Sequence, residues 1–139
     1  MTVQFLLDTN ILSEPLRPHP NVRVMAQLRQ WRHAIAIPTI VWHELWFGCY
    51  RLQPSVRRTI IERYLTGVIA VGLPILPYDT RASHWHATER ARLSTLGKTP
   101  PFADGMIAAI ARTNDLTLVT FNLDDYRAFD SLRITDWQS

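Results

Sequence analysis

The stretch "VQFLLDTNILSEP", residues 3–15, places an aspartate directly after an apolar run. Phe5, Leu6 and Leu7 are typical of a short buried strand, and the turn-like sequence that begins at Asp8 ends it. A carboxylate held beside a packed core is costly unless something positive meets it. The position of Asp8 therefore predicts a functional group at a strand end, and it raises the question of what neutralises this acid.

The size and composition of the chain are those of a globular protein. Its 139 residues are 47% apolar and 19% charged, enough for a single domain over residues 1–139 with a sizeable core. Cys49 is the only cysteine, so no intrachain disulfide is expected and a reducing compartment is favoured. No apolar run reaches the roughly 20 residues of a membrane span, and the N-terminus lacks a secretion signal. We therefore expect a cytoplasmic protein that does not enter the membrane.

The basic residues are almost all arginine, with Lys98 the only lysine, and the formal net charge is +3. Arginine makes bidentate contacts to phosphate, so a nucleic-acid partner is admissible. A GC-rich genome, which encodes arginine readily, explains the same bias equally well. The candidates for phosphate contacts, or for pairing with an acidic partner, are Arg17, Arg51, Arg57, Arg58, Arg81, Arg90 and Arg92. A solvated helical face is the competing interpretation for each of them.

Strand-like apolar runs alternate with helical patterns along the whole chain. The spacing predicts strands at residues 2–8, 34–38, 73–79 and 116–122 and an edge strand at 132–137. It predicts helices at residues 20–33, 39–52, 55–68, 80–97 and 100–115. Thr39 is a candidate cap for the second helix, and Gly97 ends the fourth. This alternation predicts an α/β domain with a mainly parallel sheet, whose working site lies beyond the carboxyl ends of the strands.

Two further acids interrupt apolar helical faces. Glu44 shares its face with Val41 and Phe47, so it is expected to project toward the packed side. Asp104 precedes the apolar part of its helix, and it lies in the first turn, where the helix dipole favours an anion. If these acids meet Asp8, their repulsion keeps protons on them unless a cation is present. Carboxylate oxygens suit Mg²⁺ or Mn²⁺, which points to metal-dependent phosphodiester hydrolysis.

Four motifs in order resemble those of PIN-domain ribonucleases, and the size and order resemble VapC-type toxins of bacterial toxin–antitoxin pairs. They are LLDTNILSE (6–14), ELWFG (44–48), FADGMIAAIA (102–111) and LTLVTFNLDDY (116–126). The resemblance implies a PIN-like three-layer α/β/α fold and a Mg²⁺- or Mn²⁺-dependent endoribonuclease. It implies Asp8, Glu44 and Asp104 as the acidic core of the site. It also implies a homodimer and a VapB-type antitoxin that occludes the site, bringing an arginine into it.

Family members commonly have T-x-N-x-x-D-F or T-x-D in the last motif, and this sequence has Thr120, Asn122, Asp125 and Tyr126. Asp125 matches the acid before the aromatic position, so we expect it to be the fourth acid. Asn122 stands where other members carry an acid and is expected to orient its neighbours, while Asp124 faces solvent. Phe121 replaces a residue that is often basic, which removes one phosphate contact.

Roles follow from the positions of these groups. We expect Asp8 and Asp104 to hold the metal directly, since a strand end and a helix start are rigid. Glu44 and Asp125 then bind through water or orient the attacking water. The supporting side chains are Thr9, Asn10, Thr120 and Asn122. Of these, Thr9 and Thr120 are expected to hydrogen-bond the acids or the phosphate, and Asn10 to cap the helix that begins at residue 11.

The remaining candidates are assigned to packing or to partner surfaces. His84 and His86 lie two apart and share no helical face, so they are predicted as surface or interface groups and not as zinc ligands. Cys49 is expected in the core. The tryptophans at 31, 42, 46 and 85 are expected in the core or at an interface. Trp42 and Trp46, one turn apart, are predicted to form part of a groove for a partner helix, and residues 43–52 are the candidate antitoxin-facing surface.

Two rival functions stay open. One is a metal-dependent phosphatase or nucleotide hydrolase. An enzyme of the haloacid-dehalogenase type would require a second acid where Asn10 stands, which counts against that version. The other rival is a catalytically silent PIN module that binds RNA or protein. The retention of four polar site positions counts against a catalytically silent module.

Overall fold

The structure is a computed structural model that describes residues 2–138, and its strands alternate with helices as predicted. The strands are β1 (Phe5–Leu7), β2 (Ile35–Pro38), β3 (Ile75–Leu76), β4 (Thr117–Val119) and β5 (Ile134–Thr135). The helices are α1 (Thr9–Ser13), α2 (Val22–Gln30), α3 (Thr39–Tyr50), α4 (Val56–Tyr64), α5 (Ala70–Gly72), α6 (Thr80–Thr95), α7 (Phe102–Thr113) and α8 (Leu123–Tyr126). A 3₁₀ turn (Glu14–Leu16) follows α1, and a π-helical turn (Leu65–Ile69) follows α4.

The five strands form a sheet in the order β3-β2-β1-β4-β5, and each of the pairings is parallel. Helices flank this sheet, which confirms the predicted α/β/α fold class and the edge position of the last strand. The chain goes from β1 to β2 and β3 on one side, and then to β4 and β5 on the other. The order therefore reverses between β1 and β4, which is where open parallel sheets bind their ligands. Asp8 and Thr120 directly follow these two strands.

The core holds β1, β4 and α7 in fixed positions. Leu6, Leu7 and Leu118 are fully buried, as expected for strands covered on both faces. α7 packs against β4 and α3, and its small side chains, such as Ala108 and Ala111, are fully buried too. Because these elements are packed closely, the acids at their ends start from a rigid frame.

Two of the predicted helix caps are wrong. α1 begins one residue earlier than expected, because the Asp8 carboxylate itself accepts a hydrogen bond from the Thr9 amide at 2.8 Å. Asn10 therefore lies inside the helix and is exposed. α3 begins at Thr39, whose hydroxyl does not cap it and instead donates to the Leu76 carbonyl at 3.1 Å.

Some predicted face assignments also need correction. Phe47 is 56% exposed, because the buried stripe of α3 runs through Val41, Leu45 and Cys49. Cys49 is thus in the core, as predicted. His86 was predicted as a surface or interface group, but it is buried within the domain, with its Nδ1 2.8 Å from the Tyr78 hydroxyl.

The end of α6 lies where the sequence predicts it. Gly97, at φ +73°, follows the end of α6, which confirms the predicted stop.

The tryptophans singled out from the sequence are half-buried and pack against the core, namely Trp31, Trp42, Trp46 and Trp85. Within residues 2–138, no helix has both the length and the apolar character that crossing a membrane requires.

Candidate active site

Asp8 lies at the carboxyl end of β1 and is only 8% exposed. Its Oδ1 accepts from the Thr9 amide, and its Oδ2 accepts from the Thr120 hydroxyl at 2.8 Å. Burial raises the pKa of Asp8, the two hydrogen bonds oppose this rise, and the nearby charge of Asp125 adds to it. The carboxylate is therefore held in place but is not neutralised by these neighbours.

Glu44, from the middle of α3, reaches the same end of the sheet. It is half-buried, and its Oε2 accepts a short hydrogen bond from the Thr9 hydroxyl. Thr9 thus donates its amide to Asp8 and its hydroxyl to Glu44. One residue at the start of α1 therefore connects two acids that lie 36 positions apart in the sequence.

Asp104 is half-buried in the first turn of α7, next to the other acids. Its Oδ1 lies 3.4 Å from the hydroxyl of Tyr126, which is buried and donates to it. The pKa of Asp104 is raised first by burial and then by the charges of Asp125 and Asp8, with a smaller rise from Glu44. The Tyr126 hydrogen bond lowers it. The charges of Asp125, Asp8 and Glu44 thus all reach Asp104 at this end of the sheet, a region here called the acidic pocket.

Asp125 lies in α8 and is exposed, but its charge raises the pKa of both Asp8 and Asp104. Asp124, by contrast, is 94% exposed at its side chain and pairs with Arg127 at 2.8 Å, which confirms that it faces solvent. Asn122 contributes through its backbone: its amide donates to the Thr120 hydroxyl at 3.1 Å. The Thr120 hydroxyl thus links the backbone that follows β4 to the Asp8 carboxylate.

None of the four acids forms an ion pair within residues 2–138. The arginines pair with other acids, namely Glu14, Glu62, Glu89, Asp115 and Asp124. Carboxylates brought together without a cation repel one another, and a divalent ion relieves that repulsion. The raised pKa values and the all-oxygen donor set therefore fit a hard cation such as Mg²⁺.

The described residues do not form a closed cage for such an ion. Across residues 2–138, no group of three or more His, Cys, Asp or Glu side chains is already arranged to hold a metal. This openness is compatible with Mg²⁺, which is usually held by one or two carboxylates and keeps several of its waters.

A groove of about 840 Å³ begins at Thr9 and Glu44 and extends between α1, α3 and α4. Three of the predicted phosphate-binding arginines line it: Arg17, Arg51 and Arg57. Others of that set are engaged elsewhere, since Arg58 pairs with Glu62 and Arg92 with Glu89. Arg17 itself pairs with Glu14 at 3.4 Å, so Arg51 and Arg57 are the groove arginines that form no ion pair within residues 2–138.

Two residues that contribute to this region were not singled out from the sequence. Tyr126 was noted only as an aromatic position, although its buried hydroxyl donates to Asp104. The signal available in the sequence was that Tyr126 directly follows Asp125 in the last motif. Glu14 is a buried acid near the end of the first motif, where its Oε1 accepts from the Asn21 amide at 2.8 Å. It is satisfied locally and shapes the turn into α2.

Comparisons with known proteins find similar sequences and a similar fold over nearly the whole chain. A family model described as "PIN domain" matches residues 5–132. The chain is 35% identical over 138 residues to "Toxin FitB" of Neisseria gonorrhoeae, covering 95% of this chain and 97% of that one. It is 32% identical over 136 residues to "VapC ribonuclease Y4jK" of Sinorhizobium fredii, covering 96% and 97%. Among solved structures it is similar to FitAcB from Neisseria gonorrhoeae, with a TM-score of 0.89, 33% identity and coverage of 96% and 98%.

Proposed function

The chain belongs to the PIN-domain family, and on that premise we propose that it is a metal-dependent endoribonuclease, the toxin of a VapBC-type pair. The observation that carries this proposal is the pocket itself. There the charges of Asp125, Asp8 and Glu44 raise the pKa of Asp104, and within residues 2–138 no arginine pairs with any of these four acids. Residues 1–139 then form a single PIN domain.

The metal in this proposal is Mg²⁺ or Mn²⁺. Asp8 and Asp104 would hold it directly, and Glu44 and Asp125 would bind through water or orient the attacking water. Such an ion, when bound, orients phosphate oxygens, lowers the pKa of a bound water and offsets charge on the leaving oxygen. Those functions are the ones that hydrolysis of an RNA phosphodiester requires.

The protein's own groups prepare the carboxylates for this task. Thr120 and Thr9 fix the orientation of Asp8 by donating to its two oxygens. Burial and the charges of neighbouring acids, among them Asp104, raise the pKa of Tyr126. Its hydroxyl therefore keeps its proton at physiological pH and remains a hydrogen-bond donor to Asp104.

The partners follow from the family. We infer an RNA substrate, a VapB-type antitoxin, a homodimer and a cytoplasmic location, in line with relatives named as a toxin and as a ribonuclease. On α3, Trp42 and Trp46 stack edge to face with centroids 5.7 Å apart and stay half-buried. This pair is the proposed antitoxin surface. Trp46→Ala is expected to lose antitoxin binding with the fold retained, and unchanged affinity would count against it.

The proposed activity is tested by incubating an RNA panel with the protein and Mg²⁺, with and without EDTA. Wild-type protein should cleave RNA only with the metal, while folded Asp8→Asn and Asp104→Asn proteins should not. Asp124→Asn is the matched control and should cleave normally, because that side chain faces solvent. Undiminished cleavage by either site variant refutes the assignment. Hydrolysis of a phosphomonoester in place of RNA would assign the pocket to a phosphatase.

A further inference from the structure

A second basic surface lies away from the arginine-lined groove, between α6 and the segment that leads into α7. It encloses a shallow cavity of about 450 Å³ with Arg90, Ser94, Lys98 and Thr99 among its walls. On α6 the lining residues occupy positions 87, 90, 91 and 94, which form one helical face without an acid. Within residues 2–138, neither Arg90 nor Lys98 forms an ion pair. The surface therefore presents two uncompensated positive charges.

An exposed aromatic ring borders these charges. Phe102, the first residue of α7, is 51% exposed, and the Arg90 guanidinium carbon lies 5.2 Å from the centre of its ring. The ring also contacts His86, with centroids 4.6 Å apart. His86 is itself held by the Tyr78 hydroxyl.

The chain provides a firm support under this ring. His86 packs so closely against Gly105 that a Cβ at that position would lie 2.6 Å from the His86 Cδ2. The imidazole therefore fills the space beneath the start of α7, and Phe102 cannot sink into the core. An aromatic side chain held half in solvent beside Arg90 is available to a ligand with a flat ring.

We propose that Arg90, Lys98 and Phe102, here called the α6–α7 platform, bind single-stranded RNA. The exposed half of Phe102 stacks on a base, and the two cations contact the flanking phosphates, a combination that suits single-stranded nucleic acid. The inference rests on the proposed nuclease function and adds a second contact region for its substrate. An acidic protein segment would satisfy the cations but would offer Phe102 no flat ring.

The platform and Asp104 lie on different sides of α7. Phe102 precedes Asp104 by two residues, within one helical turn of ~5.4 Å pitch. At ~100° per residue, the two side chains leave the helix roughly 200° apart, which is nearly opposite. RNA bound to the platform therefore reaches Asp104 by passing around the start of α7, and the platform holds a part of the strand away from the cleaved bond.

The test measures binding of a short fluorescein-labelled single-stranded RNA by anisotropy, in EDTA so that the RNA stays intact. Phe102→Ala should weaken binding roughly 5- to 150-fold, the range measured for loss of one base stack, and Phe102→Trp should restore it. Arg90→Ala and Lys98→Ala should each weaken binding and reduce the salt dependence by about 0.7 in log–log slope.

Matched controls lie elsewhere on the surface. Val71→Ala removes an apolar side chain that is more exposed than Phe102, and Arg23→Ala removes an exposed arginine on α2. Both should bind RNA as the wild type does. Thermal unfolding of each variant shows that the fold is retained.

Unchanged RNA binding by folded Phe102→Ala overturns the proposal. Loss of binding to a poly-glutamate peptide, with RNA affinity intact, also overturns it and assigns the surface to an acidic protein. If RNA binding depends on Phe102 but the wild type never cleaves RNA with Mg²⁺, the platform stands and the nuclease function falls.

Discussion

Thr120→Val tests the hydrogen bonds that hold the acidic pocket. Thr120 is fully buried, donates to Asp8 at 2.8 Å and accepts from the Asn122 amide at 3.1 Å. Valine keeps the shape of the side chain and removes both bonds. Thr120→Ser keeps the hydroxyl and removes one buried methyl group, so it is the matched control.

The size of the effect follows from the two bonds. A hydrogen bond to a charged group is worth ~1.5–3 kcal/mol and a neutral one ~0.5–1.5 kcal/mol, so Thr120→Val should lower the free energy of unfolding by about 2–4 kcal/mol. For a domain of this length, that corresponds to a fall in Tm of roughly 6–15 °C. Thr120→Ser should cost only ~1 kcal/mol, for the lost methyl.

The assay is thermal and urea unfolding at pH 7, repeated in the Asp8→Asn background. There the cost of Thr120→Val should shrink, because the amide does not carry the charge that the hydroxyl stabilises. The reasoning is refuted if Thr120→Val unfolds at the wild-type temperature. It is equally refuted if Thr120→Val lowers the free energy of unfolding by the same amount in the Asp8→Asn background.

Three further predictions concern the surroundings of the pocket. Burial and neighbouring acids raise the pKa of Asp104, so its ionisation removes stability as pH rises from about 3.8 through the folded-state pKa. Asp104→Asn should therefore raise Tm at pH 7 without divalent ions, with the gain fading below pH 4; a gain independent of pH contradicts this. Arg92 lowers the pKa of Glu89 below 4.5, so its contribution is present above pH 4.5 and lost on acidification. Glu89→Gln should thus lower Tm at pH 7 and approach the wild type in acid, as a pH series of melting curves would show. Gly105→Ala should cost ~1–3 kcal/mol in urea unfolding, because the new methyl overlaps the His86 ring, and a neutral effect would disprove that contact.

Much of the architecture could be predicted because the strands carry strong local signals. The apolar runs around Leu6 and Leu118 end in polar residues at the edge where parallel strands meet, and the structure places both in the buried centre of the sheet. Acids that interrupt apolar faces then marked Asp8, Glu44 and Asp104 as candidates. Their electrostatic proximity is a property of the fold, and their catalytic roles stay predictions.

Other features depend on contacts between distant residues. Asp8 and Asn10 are both good helix caps, and only the exact end of β1 decides that Asp8 takes the role. The spacing of His84 and His86 gives no sign of which one is buried. That choice is made by the Tyr78 hydroxyl and the space above Gly105, which lie far apart from each other in the sequence.

Isothermal titration calorimetry with Mn²⁺ tests directly whether a divalent ion binds at Asp8. Wild-type protein and the Asp124→Asn control should show one saturable site, and Asp8→Asn and Asp104→Asn should each bind at least tenfold more weakly. Equal Mn²⁺ affinity in all four proteins, or no binding by the wild type, would contradict the account of the acidic pocket as a metal site.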